Sequence, residues 1–295
     1  MASPTNFLVL GANGRLGKAL VRRYTAQGLT VKALGRSELN LAKPELVAAV
    51  LADHSFDVLI NAAGDTDVDH CELDPAASLL INAQGPAAAA AYCAAKGLPF
   101  VQISTDYVFE GYPHAARVET DLAKPVNHYG RSKLVGEQSV LAAHSEALVL
   151  RVSWLFGLEK PSFPDRIIRD AQAREDVSAV NDKWACPTYA DDVTEWTLAL
   201  INAGHQGVVH LCNQGACTWS EYGQAALDIA ASLGLPLKAR TMRGHSMHGF
   251  SLFRAARPPY TALDTSLFSQ RTGLTPRPWR EALEEYLRAR YALPA

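Results

Sequence analysis

The stretch Phe7-Leu8-Val9-Leu10-Gly11-Ala12-Asn13-Gly14-Arg15-Leu16-Gly17 decides how the rest of the chain is read. A short apolar run, expected as a strand, ends in three glycines spaced three apart. Residues 15–27 then form an amphipathic helix, with Leu16, Leu20, Val21 and Tyr24 on one side. In that strand–turn–helix context each glycine has a task. Gly11 permits the tight turn, Gly14 lets the backbone approach a pyrophosphate, and Gly17 lets the helix pack close to the sheet. Free N–H groups at the helix start bind phosphate. Asn13, Arg15 and Leu16 lie in the same loop and are expected at the dinucleotide with the glycines.

Outward from that loop, strands and helices alternate. Residues 31–34, 57–61, 100–104 and 147–152 read as further strands, all nearly continuously apolar, as in a parallel sheet buried on both faces. Between them lie helices at 44–52, 75–96 (one long helix) and 127–142. After Trp154 prolines and glycines break the chain into shorter pieces, with helices at 191–203, 219–233 and 280–291 and a strand at 208–211. The expected fold class is α/β: a Rossmann-type doubly wound parallel sheet with a smaller C-terminal substrate-binding lobe. Residues 1–152 form the nucleotide-binding domain, with 178–212 rejoining it, and 153–177 and 213–295 form the lobe.

Composition excludes several other functions. The chain has 295 residues, 48% of them hydrophobic, and a net charge of -2, which gives no reason to expect nucleic acid or an anionic membrane as a partner. No apolar run approaches the ~20 residues of a membrane helix. Met1-Ala2-Ser3-Pro4-Thr5-Asn6 has neither the basic start nor the apolar core of a signal peptide, so a cytoplasmic location is expected. The five cysteines are expected to be reduced and packed. His245 and His248 have no third ligand nearby in sequence, and no metal site is assigned.

The second strand ends in Gly35-Arg36-Ser37, where an acidic residue usually receives a free ribose 2′-hydroxyl. A guanidinium at Arg36, with Arg15, suits a 2′-phosphate instead. NADPH is therefore expected, with NADH also usable. The small residues Ala62, Ala63 and Gly64 after the third strand let the backbone lie against the adenosine half. Further on, Tyr129 and Lys133 stand at i and i+4 on one helix face. A free phenol, with a pKa near 10, is a poor acid–base group at neutral pH. A neighbouring ammonium and the nicotinamide cation are expected to pull it down. Lys133 also suits the nicotinamide ribose, and Thr105 could donate a hydrogen bond to a carbonyl oxygen becoming an alkoxide. The pattern points to hydride transfer between a nicotinamide and a carbonyl or alcohol.

At these residues the chain resembles the dTDP-4-dehydrorhamnose reductase family within the extended short-chain dehydrogenase/reductases. The resemblance runs nearly end to end. It is carried by the glycine loop, Ser104-Thr105-Asp106-Tyr107-Val108-Phe109-Glu110-Gly111, Tyr129-Gly130-Arg131-Ser132-Lys133 and Arg151-Val152-Ser153-Trp154-Leu155-Phe156-Gly157. It implies NADPH-dependent reduction of dTDP-4-dehydro-β-L-rhamnose, with Thr105, Tyr129 and Lys133 catalytic. It also implies that Thr66, Val68, Asn82, Thr105, Asp106, Trp154 and Arg257 serve the nucleotide-sugar substrate, Asn82 from the long helix; Trp154 reads equally as a core aromatic. Some members hold a metal, magnesium being the candidate, at a homodimer contact; its ligands are not placed here.

Two departures stand out. Gly64-Asp65 replaces the family's usual alanine and aromatic or histidine. Asp182-Lys183-Trp184-Ala185-Cys186-Pro187-Thr188 replaces its Asp-Gln-x-Gly-x-Pro-Thr. The second change motivates an alternative substrate, another nucleotide-linked 4-keto-deoxysugar. A third reading is a non-catalytic regulatory subunit, since the methionine adenosyltransferase beta subunit resembles the same motif set.

Overall fold

Strand β1 (Asn6–Leu10) sends apolar side chains to both sides, Phe7 and Val9 into one core and Leu8 and Leu10 into another. A strand with two apolar faces must be covered twice, and the chain does so by winding helices to either side. The computed structural model describes residues 3–248 and 253–291. After β1 come α1 (Arg15–Ala26), β2 (Thr30–Leu34), α2 (Pro44–Ala52), β3 (Val58–Asn61), α3 (Val68–Leu73), α4 (Pro75–Leu79), α5 (Gly85–Lys96), β4 (Phe100–Thr105), α6 (His128–Ala143) and β5 (Leu148–Val152). Then follow β6 (Leu155–Phe156), α7 (Phe163–Ala173), β7 (Val177–Val180), β8 (Trp184–Ala185), β9 (Thr188–Tyr189), α8 (Ala190–Asn202) and β10 (Gly207–Leu211). The last elements are β11 (Cys217–Thr218), α9 (Trp219–Ser232), β12 (Met242–His245), α10 (Ser266–Thr272) and α11 (Trp279–Tyr291).

The main sheet has the order β10-β5-β4-β3-β1-β2, and every pairing in it is parallel. Leu16, Leu20 and Tyr24 of α1 and Val193, Trp196 and Leu200 of α8 cover one face; Val47 and Leu51 of α2, Ala89, Ala90 and Cys93 of α5 and Val140 of α6 cover the other. The chain reverses its winding between β1 and β3. Open α/β sheets bind ligands outside the strand ends at such a reversal. The remaining elements include three two-stranded pairs, β11-β8, β12-β7 and β6-β9, and a third core in which Phe156, Tyr189, Tyr222, Trp279 and Tyr286 pack together. β7 pairs with β12, whereas α8 and β10 join the large sheet.

Two expectations need correction. β2 is not buried on both faces: it is the edge strand, and Thr30, Lys32 and Ala33 are exposed because nothing pairs beyond it. The helix expected over 75–96 is not continuous either. A π-helical turn, Leu80–Gln84, separates α4 from α5. Pro86 has no N–H to return to the carbonyl of Asn82, so the regular ladder cannot run through it. The helix α3 was not legible in the periodicity; it is a short element started by the Asp67 carboxylate, which accepts the Asp69 and His70 amides at 3.1 and 3.0 Å.

Candidate active site

Gly11 has φ +73°, and a methyl group there would fall 2.5 Å from the backbone nitrogen of Ala63. The ends of β1 and β3 thus touch through backbone alone, and only glycine fits. Gly17 is equally constrained, since a Cβ there would meet the Gly11 carbonyl oxygen at 2.2 Å. Gly14 is the N-cap of α1 and offers no side chain to its first-turn amides. Those amides remain available to an anion.

Above this turn opens a cleft of about 700 Å³ whose lining includes Gly11, Asn13, Gly14, Arg36, Ala62, Ala63 and Gly64. Seven of the residues expected at the dinucleotide therefore meet around one space. Leu16 does not line it; its side chain is in the core beneath the sheet. Arg15 lies outside the cleft lining too: its guanidinium donates to the Pro161 carbonyl at 2.8 Å, tying α1 to the segment before α7. Ser37 donates to Glu38 Oε2 at 2.9 Å, and the Gly35 amide donates to the same oxygen at 2.9 Å. Glu38, four residues past the end of β2, closes this turn and does not line the cleft. Lys160, from the segment after β6, also reaches the cleft, and nothing in its sequence neighbourhood signalled that.

Tyr129 and Lys133 stand on the first turns of α6, whose N-cap Asn127 accepts the Gly130 amide at 2.8 Å. Both are nearly fully buried. Burial pushes the Tyr129 phenol up from its ordinary value, and the neighbouring Thr105 hydroxyl works against that rise. The pull expected from Lys133 is not what the structure shows. Its ammonium donates instead to the Ile103 carbonyl at 2.6 Å. Burial lowers Lys133 to about 8, with Glu137 one turn later opposing the change. Lys133 does not line the cleft, but its Nζ lies beside it: a Cβ on the cleft-lining Gly64 would be 3.8 Å away.

The π turn presents Asn82 to the segment after β3. Asn82 accepts the Asp65 amide at 2.8 Å, and its Nδ2 donates to the Asp65 carbonyl and the Ser132 hydroxyl, both at 2.9 Å. Ser132 in turn donates to the Tyr129 carbonyl at 2.9 Å. Asn82 therefore joins the cofactor-side loop to the helix that carries Tyr129. Thr66 is exposed just beyond this loop, and Val68, half-buried, opens α3.

Thr105 ends β4. Its hydroxyl donates to Asp106 Oδ1 at 3.1 Å and accepts the Tyr107 amide at 3.2 Å. A hydroxyl has one hydrogen, so the donor role expected toward substrate is already committed to Asp106. Asp106 itself does not present its carboxylate to the cleft. It is 2% exposed, and its other oxygen accepts the Ser153 hydroxyl at 2.9 Å. Trp154 packs as a core aromatic. It packs against Phe163, Trp219 and Tyr222 with centroids 5.1, 5.5 and 4.8 Å away, yet it stays half-buried and has φ +35°, a left-handed backbone that tryptophan rarely adopts. Arg257 is engaged within the protein, pairing with Asp69 Oδ2 at 2.9 Å. Asp69 also accepts the Arg254 and Ala255 amides, so α3 is clasped to the segment that precedes Pro258.

The matching of known families settles where this architecture belongs. A family model described as the RmlD substrate binding domain matches residues 5–292. The chain belongs to the RmlD substrate binding domain family. Among its relatives, dTDP-4-dehydrorhamnose reductase of Mycobacterium tuberculosis is 36% identical over 297 residues, 98% of this chain and 95% of that protein. dTDP-4-keto-6-deoxy-D-glucose reductase of Streptomyces niveus is 33% identical over 281 residues, 95% of each. The crystal structure of dTDP-4-dehydrorhamnose reductase from Bacillus anthracis in complex with NADP superposes with a TM-score of 0.88 at 29% identity, covering 95% of this chain and 98% of that one. Within the RmlD fold the five cysteines of this chain are all free and buried. Among the described residues no helix is long and apolar enough to cross a membrane, and no cluster of three His, Cys, Asp or Glu side chains could hold a metal.

Proposed function

We propose that this chain reduces the 4-keto group of dTDP-4-dehydro-β-L-rhamnose with NADPH to give dTDP-β-L-rhamnose. The observation that carries the reading is a glycine-built cleft with the Lys133 ammonium beside its Gly64, on the helix that also carries Tyr129. Family membership and the reductases among the relatives support the substrate class. The residues fit a dinucleotide: Gly11 and Gly14 line the cleft without side chains, and α1 begins without a side-chain cap. Gly11, Asn13 and Gly14 would hold the pyrophosphate, and Ala62, Ala63 and Gly64 the adenosine side.

When bound, the reduced nicotinamide supplies the hydride that C4 receives. Tyr129 supplies the proton to the C4 oxygen, and a phenol pushed up by burial enters the reaction protonated, as a donor must. Lys133 would hold the nicotinamide ribose and add a positive charge beside the developing alkoxide. Thr105 keeps the Tyr129 hydroxyl in place, and the open edge of Trp154 forms a wall for the deoxysugar. A cytoplasmic location goes with the reading, since five free thiols stay reduced there.

Purified protein mixed with NADPH and a panel of nucleotide 4-ketosugars tests this. Loss of reduced-nicotinamide absorbance is expected with dTDP-4-dehydro-β-L-rhamnose; no loss with any member rejects the reading. The second reading, another nucleotide-linked 4-keto-deoxysugar, is favoured by the changed 182–188 segment and by the relative from Streptomyces niveus. A clear preference for a different panel member would select it.

Arg36 also predicts a cofactor preference. It lines the cleft and can meet a 2′-phosphate, whereas the Glu38 carboxylate closes the Gly35 turn and does not line the cleft. Arg36→Ala should weaken NADPH about tenfold, in the range of one charge-assisted hydrogen bond, and leave NADH nearly unchanged. Titrating both cofactors by fluorescence checks it; equal losses would remove Arg36 from the 2′-phosphate role.

A further inference from the structure

The segment 254–261 is bonded to two separate parts of the molecule. On one side Asp69 of α3 accepts the Arg254 and Ala255 amides at 3.0 and 2.9 Å and pairs with the Arg257 guanidinium at 2.9 Å. On the other, Lys183 donates to the Pro258 carbonyl at 2.9 Å and the Trp184 amide to the Pro259 carbonyl at 2.8 Å. Between these two sets of contacts the Ala256 carbonyl accepts a hydrogen from Asn127 Nδ2 at 2.7 Å. The oxygen of the same side chain accepts the Gly130 amide at 2.8 Å and so caps α6. Asn127 is 1% exposed, and it serves both a helix start and a stretch of chain 129 residues away. The helix turn it caps has little freedom of its own. The His128 amide donates to Glu72 of α3 at 3.0 Å, and a methyl group on Gly130 would run into the Tyr107 carbonyl oxygen. Tyr129 sits between those two residues.

The same segment leads back to Trp154. The Arg257 guanidinium carbon lies 4.8 Å from the centre of the Phe253 ring. Phe253 packs edge-on against Trp219 with centroids 5.9 Å apart, and Trp219 lies 5.5 Å from Trp154. We propose that Asn127 is a positioning residue, the joint that keeps the ring cluster of Trp154 in register with the Tyr129 phenol. The bond to Gly130 alone would hold the helix. The second bond ties that helix start to the chain that follows Phe253, so a sugar lying on Trp154 meets a phenol at a fixed place. A misplacement of about 1 Å at reacting atoms can cost about a hundredfold in rate. The effect on turnover rests on the roles given above to Trp154 and Tyr129; the joint itself does not.

Asn127→Ser and Asn127→Asp separate the two bonds. Both replacements are good N-caps, so the Gly130 amide keeps an acceptor. The shorter serine hydroxyl stops short of the Nδ2 position, and an ionised aspartate, favoured at a helix N-terminus, has no hydrogen to give. Ala256 is exposed, so water can take up its carbonyl and the fold should survive. In both variants kcat should fall about 10- to 100-fold, while KM for the ketosugar and the NADPH dissociation constant stay within about threefold. A role as helix cap alone predicts wild-type kcat in both, and that result in folded protein would overturn the proposal. Hydrogen exchange reads the joint without substrate. The Arg254 and Ala255 amides are bonded to Asp69 and not to Asn127. They should nevertheless exchange about fivefold faster in both variants, near the worth of one neutral hydrogen bond. Unmoved exchange at these amides would overturn the proposal even if the chain reduced no ketosugar at all, an outcome that would separately reject the function proposed above.

Discussion

Replacing Tyr129 with phenylalanine is expected to lower kcat by a factor of about 10² to 10⁴ while leaving the fold and NADPH binding intact. The change removes one oxygen from a ring that packs edge-on against Tyr107 with centroids 5.5 Å apart, so the surrounding core loses no volume that matters to it. Lys133 keeps its bond to the Ile103 carbonyl, which does not pass through the phenol. What disappears is the proton donor that burial holds in its protonated form. KM for the ketosugar should change much less than kcat, because the donated proton matters mainly as charge develops on oxygen. Near-normal turnover by a folded Tyr129→Phe protein would require a different acid.

The second large effect is on stability and lies behind the catalytic helix. Arg151 on β5 makes two bonds to Glu137 on α6, at 2.9 and 2.7 Å, and Ser104 on β4 donates to the same carboxylate at 2.5 Å. Both charged side chains are almost wholly inside, 6% and 3% exposed, and the guanidinium carbon lies 5.2 Å from the centre of the Phe109 ring. Removing one member of such a pair leaves the other charge buried and unpaired, at a cost of about 3–5 kcal/mol. Arg151→Met should therefore destabilise the protein by that amount in urea unfolding. Adding Glu137→Gln should recover most of the loss, since the orphaned charge is then gone. A single variant within about 1 kcal/mol of wild type would show that Glu137 simply takes up a proton at little cost.

Much of the fold could be read from the chain because its signals are local. Gly11, Gly14 and Gly17 follow one strand and open one helix, and Tyr129 and Lys133 share one helical face, so neither pattern needs knowledge of the remote chain. The six-stranded parallel sheet follows from the same alternation. What sequence reading missed depends on partners far apart. Nothing near Arg15 says that its guanidinium will be taken by Pro161. Nothing near Asp106 says that the Ser153 hydroxyl, 47 residues on, will take its second oxygen. The exposed face of β2 follows from its place at the sheet edge, which periodicity alone does not supply. The π turn did leave a trace, in Gly85-Pro86: a methyl group on Gly85 would meet the Leu41 carbonyl oxygen at 2.3 Å, and Pro86 cannot continue the hydrogen-bond ladder.

The central claim is that a hydride reaches a sugar carbon in this cleft, and isotope transfer tests it most directly. Wild-type protein would be incubated with dTDP-4-dehydro-β-L-rhamnose and NADPH carrying deuterium at the transferable nicotinamide position, and the product examined by NMR. The account predicts one deuterium, bound at C4 of dTDP-β-L-rhamnose, with Tyr129→Phe forming the same labelled product about 10² to 10⁴ times more slowly. Recovery of unlabelled sugar, from this ketosugar and from every other nucleotide 4-ketosugar supplied, would contradict it.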